Sequence, residues 1–98
     1  MAVRITCIKK DNGYHFDPHE AITLFGWLNE ATDVYDSSTL PQMIAFVEAG
    51  NKAYVKDRYG HIAYLEVMRS YAGNKYLRTV PDGRMSDNLL TLAECIGV

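Results

Sequence analysis

The sequence predicts an α+β domain, a mostly antiparallel sheet with one helix packed across it. Three observations predict it. Val3 to Lys10 alternates in polarity residue by residue, the period of a strand with one buried face. Leu40, Met43, Ile44 and Val47 recur at i, i+3, i+4 and i+7, the apolar stripe of one amphipathic helix. Lys52 to Val80 reads as three strands joined by glycine-containing turns. At 98 residues the chain has the length of one domain, 1–98, and is long enough to bury a core unaided by metals or disulfides.

Taken in order, the first strand is expected to place Val3, Ile5, Cys7 and Lys9 on one face. Arg4, Thr6, Ile8 and Lys10 then take the other. Asp11-Asn12-Gly13 ends it, because Asn-Gly adopts positive φ readily. His15 to Tyr35 carries opposing signals. Asp17-Pro18-His19-Glu20 reads as a helix start, with Asp as N-cap, Pro at the first helical position and Glu at the third. Ile22, Thr23, Phe25 and Trp27 favour a strand instead, and Gly26 would sit in a helix interior.

Ser38 to Gly50 is the predicted helix. Thr39 and Gln42 make a capping box, Pro41 fits the first turn, and Gly50 suits the C′ position, where positive φ is needed. Ala53 to Arg58 and His61 to Arg69 then pair across Tyr59-Gly60. Ala72-Gly73-Asn74 turns the chain into Lys75 to Val80, and Pro81-Asp82-Gly83 turns it again. In the middle strand Ala63, Leu65 and Val67 alternate with Ile62, Tyr64, Glu66 and Met68; two apolar faces imply a central strand, or one covered by the helix on one side and by tyrosines on the other. The tail from Asp87 to Val98 carries Leu89, Leu90, Leu92 and Ile96 and is expected to pack, since free it would be an exposed apolar patch.

Composition bounds the class. Hydrophobic residues are 48% and charged residues 22%, ordinary for a soluble globular chain. The net charge of -2 gives no general attraction to polyanions, but its distribution is uneven. Residues 11–51 hold seven acidic groups and no Lys or Arg, whereas residues 52–84 hold seven basic groups against three acidic ones. Such asymmetry either steers a charged partner or draws the two halves of the fold together. No apolar run approaches the roughly 20 residues of a membrane helix. The chain enters its first strand directly, with no secretory leader, so a cytoplasmic protein without membrane contact is expected. In such a compartment Cys7 and Cys95 are expected as reduced, small core residues, with a disulfide between the chain ends as the alternative.

Candidate chemistry is sparse. His15, Asp17 and His19 offer metal-ligand types within a few residues. The prolyl turn disturbs their geometry, and a tetrahedral site wants more ligands. The expected reading is a turn capped by Asp17, with no metal and no cofactor. Cys7 lies mid-strand with no glycine elbow and no base placed beside it. Ser37, Ser38, Ser70 and Ser86 lie in no motif, and there is no Gly-rich phosphate loop, so no enzyme is expected. Asp87-Asn88 reads as a local turn or cap. The candidate surface is Tyr54, Lys56, Arg58, Tyr64, Tyr76 and Arg78. Spaced along three strands, they could share the face that the helix leaves uncovered.

"KAYVKDRYGHIAYLEV", "KYLRTVPDG" and "DNLLTLAEC", with "ITCIKK" at the front and "DPHEAIT" behind it, resemble the domain of unknown function family 3892, small bacterial and phage-associated domains. The resemblance covers nearly the whole chain and carries no established activity. It implies a β-β-α-β-β-β order, which makes Ala21 to Leu28 a strand and gives a sheet of about five strands. Where such members often have Pro before the closing Glu-Cys, this chain has Ala93, leaving room for a short helical end. The expected function is a non-catalytic module binding an unknown protein partner through the Tyr/Lys/Arg face. The alternative is a nucleic-acid-binding accessory protein of bacterial or phage origin, whose rings stack bases while Lys and Arg neutralise phosphates.

Overall fold

The computed structural model describes residues 1–11, 13, 18–80, 89–90 and 92–96. The elements run β1 (Ala2–Lys10), a 3₁₀ turn (Pro18–Ala21), β2 (Ile22–Asn29), β3 (Val34–Thr39), α1 (Leu40–Glu48), β4 (Lys52–Lys56), β5 (Ile62–Arg69) and β6 (Lys75–Thr79). The strands form one sheet in the order β3-β2-β1-β4-β5-β6. Every pairing is antiparallel except β1 with β4. The predicted α+β class is what the chain adopts. Two details are corrected: the described sheet has six strands rather than about five, and the order is β-β-β-α-β-β-β rather than β-β-α-β-β-β.

The unforeseen strand is β3, Val-Tyr-Asp-Ser-Ser-Thr. It lies at the sheet edge and is mostly exposed, so no buried face imprints an alternating pattern on it. Its last residues, Ser38 and Thr39, also carry the helix start signal. Asp33, at φ 57°, closes the turn from β2, and Asn29 caps that turn by accepting the Ala31 N–H at 3.0 Å. Aspartate tolerates this left-handed conformation better than most residues.

The opposing signals before β2 are both expressed. Pro18–Ala21 makes one 3₁₀ turn and the chain then extends at once. The strand expected over Ala21 to Leu28 forms at Ile22–Asn29. Of the metal candidates, His15 and Asp17 lie outside the described residues, as do the Pro81-Asp82-Gly83 turn and Asp87-Asn88.

In β1 the face assignment is corrected. Ile5 opposes Trp27 and Cys7 opposes Gly26, leaving Thr6 as an extra residue. A β-bulge of this kind resets the side-chain parity. Val3 and Ile5 face the core before it and Ile8 after it, all at most 2% exposed. Cys7 therefore leaves the Val3 face, and Ile8 joins it.

α1 keeps its predicted caps. The Thr39 side chain accepts the Gln42 N–H while the Gln42 side chain accepts the Thr39 N–H. Gly50 sits past the end at φ 96°. Met43 is fully buried, with Leu40, Ile44 and Val47 beside it against the core. The helix packs on the inner sheet face against β2, β4, β5 and β6, and Met43 joins Val3, Phe25, Val55, Leu65 and Leu77 in one core cluster. The 3₁₀ turn packs on both β2 and β6, near opposite edges of the sheet, so the sheet curls around this core. Among the described residues, no helix is long and apolar enough to cross a membrane.

The tail packs, as expected, with Leu89 wholly buried. Among the described residues 92–96 it is not helical. β4 pairs only with residues 2–4 of β1, and the tail takes over further along. Ile8 donates to the Ala93 carbonyl at 3.1 Å, and its own carbonyl accepts the Cys95 N–H at 3.0 Å, a parallel bridge between Ile8 and Glu94. Cys7 and Cys95 are joined in a disulfide, so the expectation of two reduced core thiols gives way to its alternative. Reversed parity at the bulge is what turns Cys7 out of the core and toward the tail.

Candidate functional site

The outer sheet face, opposite α1, carries the candidate surface. Directly opposed residues on neighbouring strands share a face, and the registers align one row across five strands. Tyr35 opposes Leu28, Leu28 opposes Arg4, Arg4 opposes Tyr54, and Tyr54 opposes Tyr64. Tyr35 is 70% exposed and Tyr64 48%. The Tyr54 and Tyr64 rings meet edge to face with centroids 6.2 Å apart, a favoured aromatic geometry. The Lys52 ammonium lies over the Tyr64 ring, 5.8 Å from its centre.

Beside this row the charges are largely paired. Glu30, just past the end of β2, accepts a hydrogen bond from the Tyr54 hydroxyl and two from Lys56 Nζ at 3.2 Å each. Burial, then the hydrogen bond to the Glu30 carboxylate, pushes the Tyr54 phenol up to about 12. The same bond from Tyr54, with that from Lys56, holds Glu30 below its ordinary value. Arg4 donates to the Lys56 carbonyl at 3.4 Å. Arg78 Nε donates to Glu66, its directly opposed residue, at 3.1 Å.

The six predicted residues are thus only partly united. Tyr54, Lys56 and Tyr64 stand together. Arg78 lies two strands from Tyr54 and is bound to Glu66. Arg58 is not on β4, which ends at Lys56; it lies in the turn, with its guanidinium 5.1 Å from the Tyr59 ring centre. Asp57 shapes that turn by accepting the N–H groups of Tyr59 and His61 at 2.8 and 2.9 Å. Tyr76 is corrected: it is 7% exposed and is not a surface ring. β6 packs against the 3₁₀ turn, and Glu20 lines the same recess as Tyr76. Sequence reasoning missed Tyr35, Leu28 and Arg4, because only strand register brings them into line with Tyr54. Of the metal candidates only His19 is described. Among the described residues no group of three or more His, Cys, Asp or Glu side chains is placed to hold a metal ion.

The family model described as Protein of unknown function (DUF3892) matches residues 4–93. No curated protein and no solved structure matches the chain.

Proposed function

The chain belongs to the family Protein of unknown function (DUF3892); that membership brings no activity with it, and from the surface itself we propose a non-catalytic module that docks a protein partner on the outer sheet face. The observation that carries this reading is the row Tyr35, Leu28, Arg4, Tyr54 and Tyr64. Tyr and Arg are the residue types that dominate protein interfaces, since they bury much area and still form hydrogen bonds at their tips. The occupant is a protein surface that supplies apolar contact to the rings and hydrogen-bond groups to the Tyr35 and Tyr64 hydroxyls. Nucleic acid is the second reading, favoured by Lys52 and Arg58 lying over tyrosine rings. Against it, Lys56 and Arg78 already hold Glu30 and Glu66. Phosphates would have to compete for both cations.

The test has two arms. Amide chemical shifts are followed while short single-stranded and duplex oligonucleotides are added at low and moderate salt. Affinity capture from the host then compares the wild type with Tyr64→Ala and with Thr23→Ala, which alters an exposed residue away from the row. The protein-partner reading expects flat shifts and one retained species, insensitive to salt, lost with Tyr64→Ala and kept with Thr23→Ala. Salt-sensitive shifts on Tyr54 to Arg58 and Tyr64 would overturn it in favour of nucleic acid, whose phosphate contacts weaken steeply with salt.

A further inference from the structure

The Cys7–Cys95 disulfide stands at an unusual place in the fold. It joins a bulged central strand to the chain's last described turn of backbone, 88 residues away. Gly26 lies directly opposite Cys7. A Cβ on Gly26 would come 2.2 Å from Cys7 Sγ and 3.0 Å from Cys95 Sγ, so the missing side chain is the space that the sulfur pair occupies. A recess of about 340 Å³ opens onto the pair, lined by Thr6, Tyr35, Ser37 and Ile96 as well as both cysteines. Cys95 is buried, and Cys7 is the more exposed partner. Among the described residues, the backbone bonds between residues 92–96 and β1 are the two at Ile8, and Glu94 and Ile96 are exposed.

We propose that Cys7–Cys95 is a thiol-exchange site that takes a dithiol, and that it latches residues 92–96 onto β1. A thiolate of the dithiol enters the recess and attacks Cys7 Sγ. The bond between the two cysteines breaks, and its electron pair leaves on Cys95 Sγ, which takes up a proton. The second thiol of the dithiol loses its proton and displaces Cys7 Sγ from the mixed disulfide, and Cys7 is protonated in turn. The dithiol leaves as a disulfide, and the chain gains two electrons and two protons. With the sulfurs parted, one parallel bridge at Ile8 and the packing of Leu92 against the core are left to hold the segment, and an isolated bridge frays readily. Release frees both backbone groups of Ile8, an unpaired stretch in the middle of the sheet that an extended segment can pair with.

The experiment is amide hydrogen exchange on the oxidised protein before and after a small dithiol is added in native buffer, with thiols counted by alkylation and mass. The expected result is two thiols released. Protection should fall about tenfold or more at Ile8 and Cys95 while Phe25 and Leu65 keep theirs, and reoxidation should restore it. Cys95→Ser should show the same local loss with no reductant. Gly26→Val should leave both thiols free, because its side chain occupies the sulfur site. Thiols that resist the dithiol in the folded protein would overturn the proposal, as would unchanged protection at Ile8 and Cys95 after reduction. A simultaneous collapse at Phe25 and Leu65 would overturn it too, making the bond a staple of the whole fold.

Discussion

At the scale of single residues, Glu30 governs the chemistry of the tyrosine row. It accepts from Tyr54 and Lys56 together, and the two consequences have opposite signs. The Tyr54 phenol is raised from 10.0 to about 12, so its contribution to stability is complete below pH 10 and is lost as the pH rises through about 12. Glu30 is lowered from 4.5, so its contribution is present above that value and is lost as the pH falls through the lower folded value. Replacing the carboxylate by an amide removes the charge but leaves the burial. Glu30→Gln should therefore bring the Tyr54 phenol down from about 12 while keeping it above 10.0, as read by phenolate absorbance with Tyr54→Phe as the assignment control. The variant's melting temperature should lie below the wild type at neutral pH, and the two should converge in acid. None of this was legible in the sequence. Glu30 and Tyr54 are 24 positions apart, and they meet only because Arg4 lies between their strands.

At the scale of elements, α1 was the most legible part of the chain because its signals are local. The capping box and the glycine past the end each involve residues within one turn of each other. The Thr39 side chain satisfies one N–H that the first helical turn leaves without a partner, so Thr39→Ala should cost about 1 kcal/mol in urea unfolding. The same threonine ends β3, and that double duty is why the edge strand was unreadable: its polar residues resemble a loop leading into a cap. The bulge at Thr6 misled in another way. Alternation in β1 is real on both sides of it, but one unpaired residue exchanges the faces, and nothing in Ile-Thr-Cys-Ile marks where the exchange occurs.

At the scale of the whole molecule, the acidic and basic segments attract one another. Lys56 pairs with Glu30 at 3.2 Å and Lys75 with Glu48 at 2.7 Å, each joining the acidic 11–51 region to the basic region after it. Exposed pairs such as these contribute only tenths of a kcal/mol to about 1 kcal/mol. They orient the halves more than they stabilise them. Stability rests on the curled sheet closed over by α1 and the tail. Phe25, at 0% exposure, is paired with Ile8 across β1 and β2. Phe25→Ala should lower the unfolding free energy by about 3–5 kcal/mol in urea titration, since it leaves a cavity the sheet cannot close.

By itself the sequence determined the α+β class, the helix with both its caps and the need for the tail to pack. Each of these rests on patterns within one element or on a turn between two neighbours. Tertiary structure alone decided the rest. The parallel pairing of β1 with β4 aligns Arg4 with Tyr54. Packing around the edge strand β6 takes Tyr76 out of the surface. The bulge and Gly26 bring Cys7 to Cys95. These are long-range choices of register and curvature, set by which arrangement buries the most apolar surface, and no short stretch of sequence carries them.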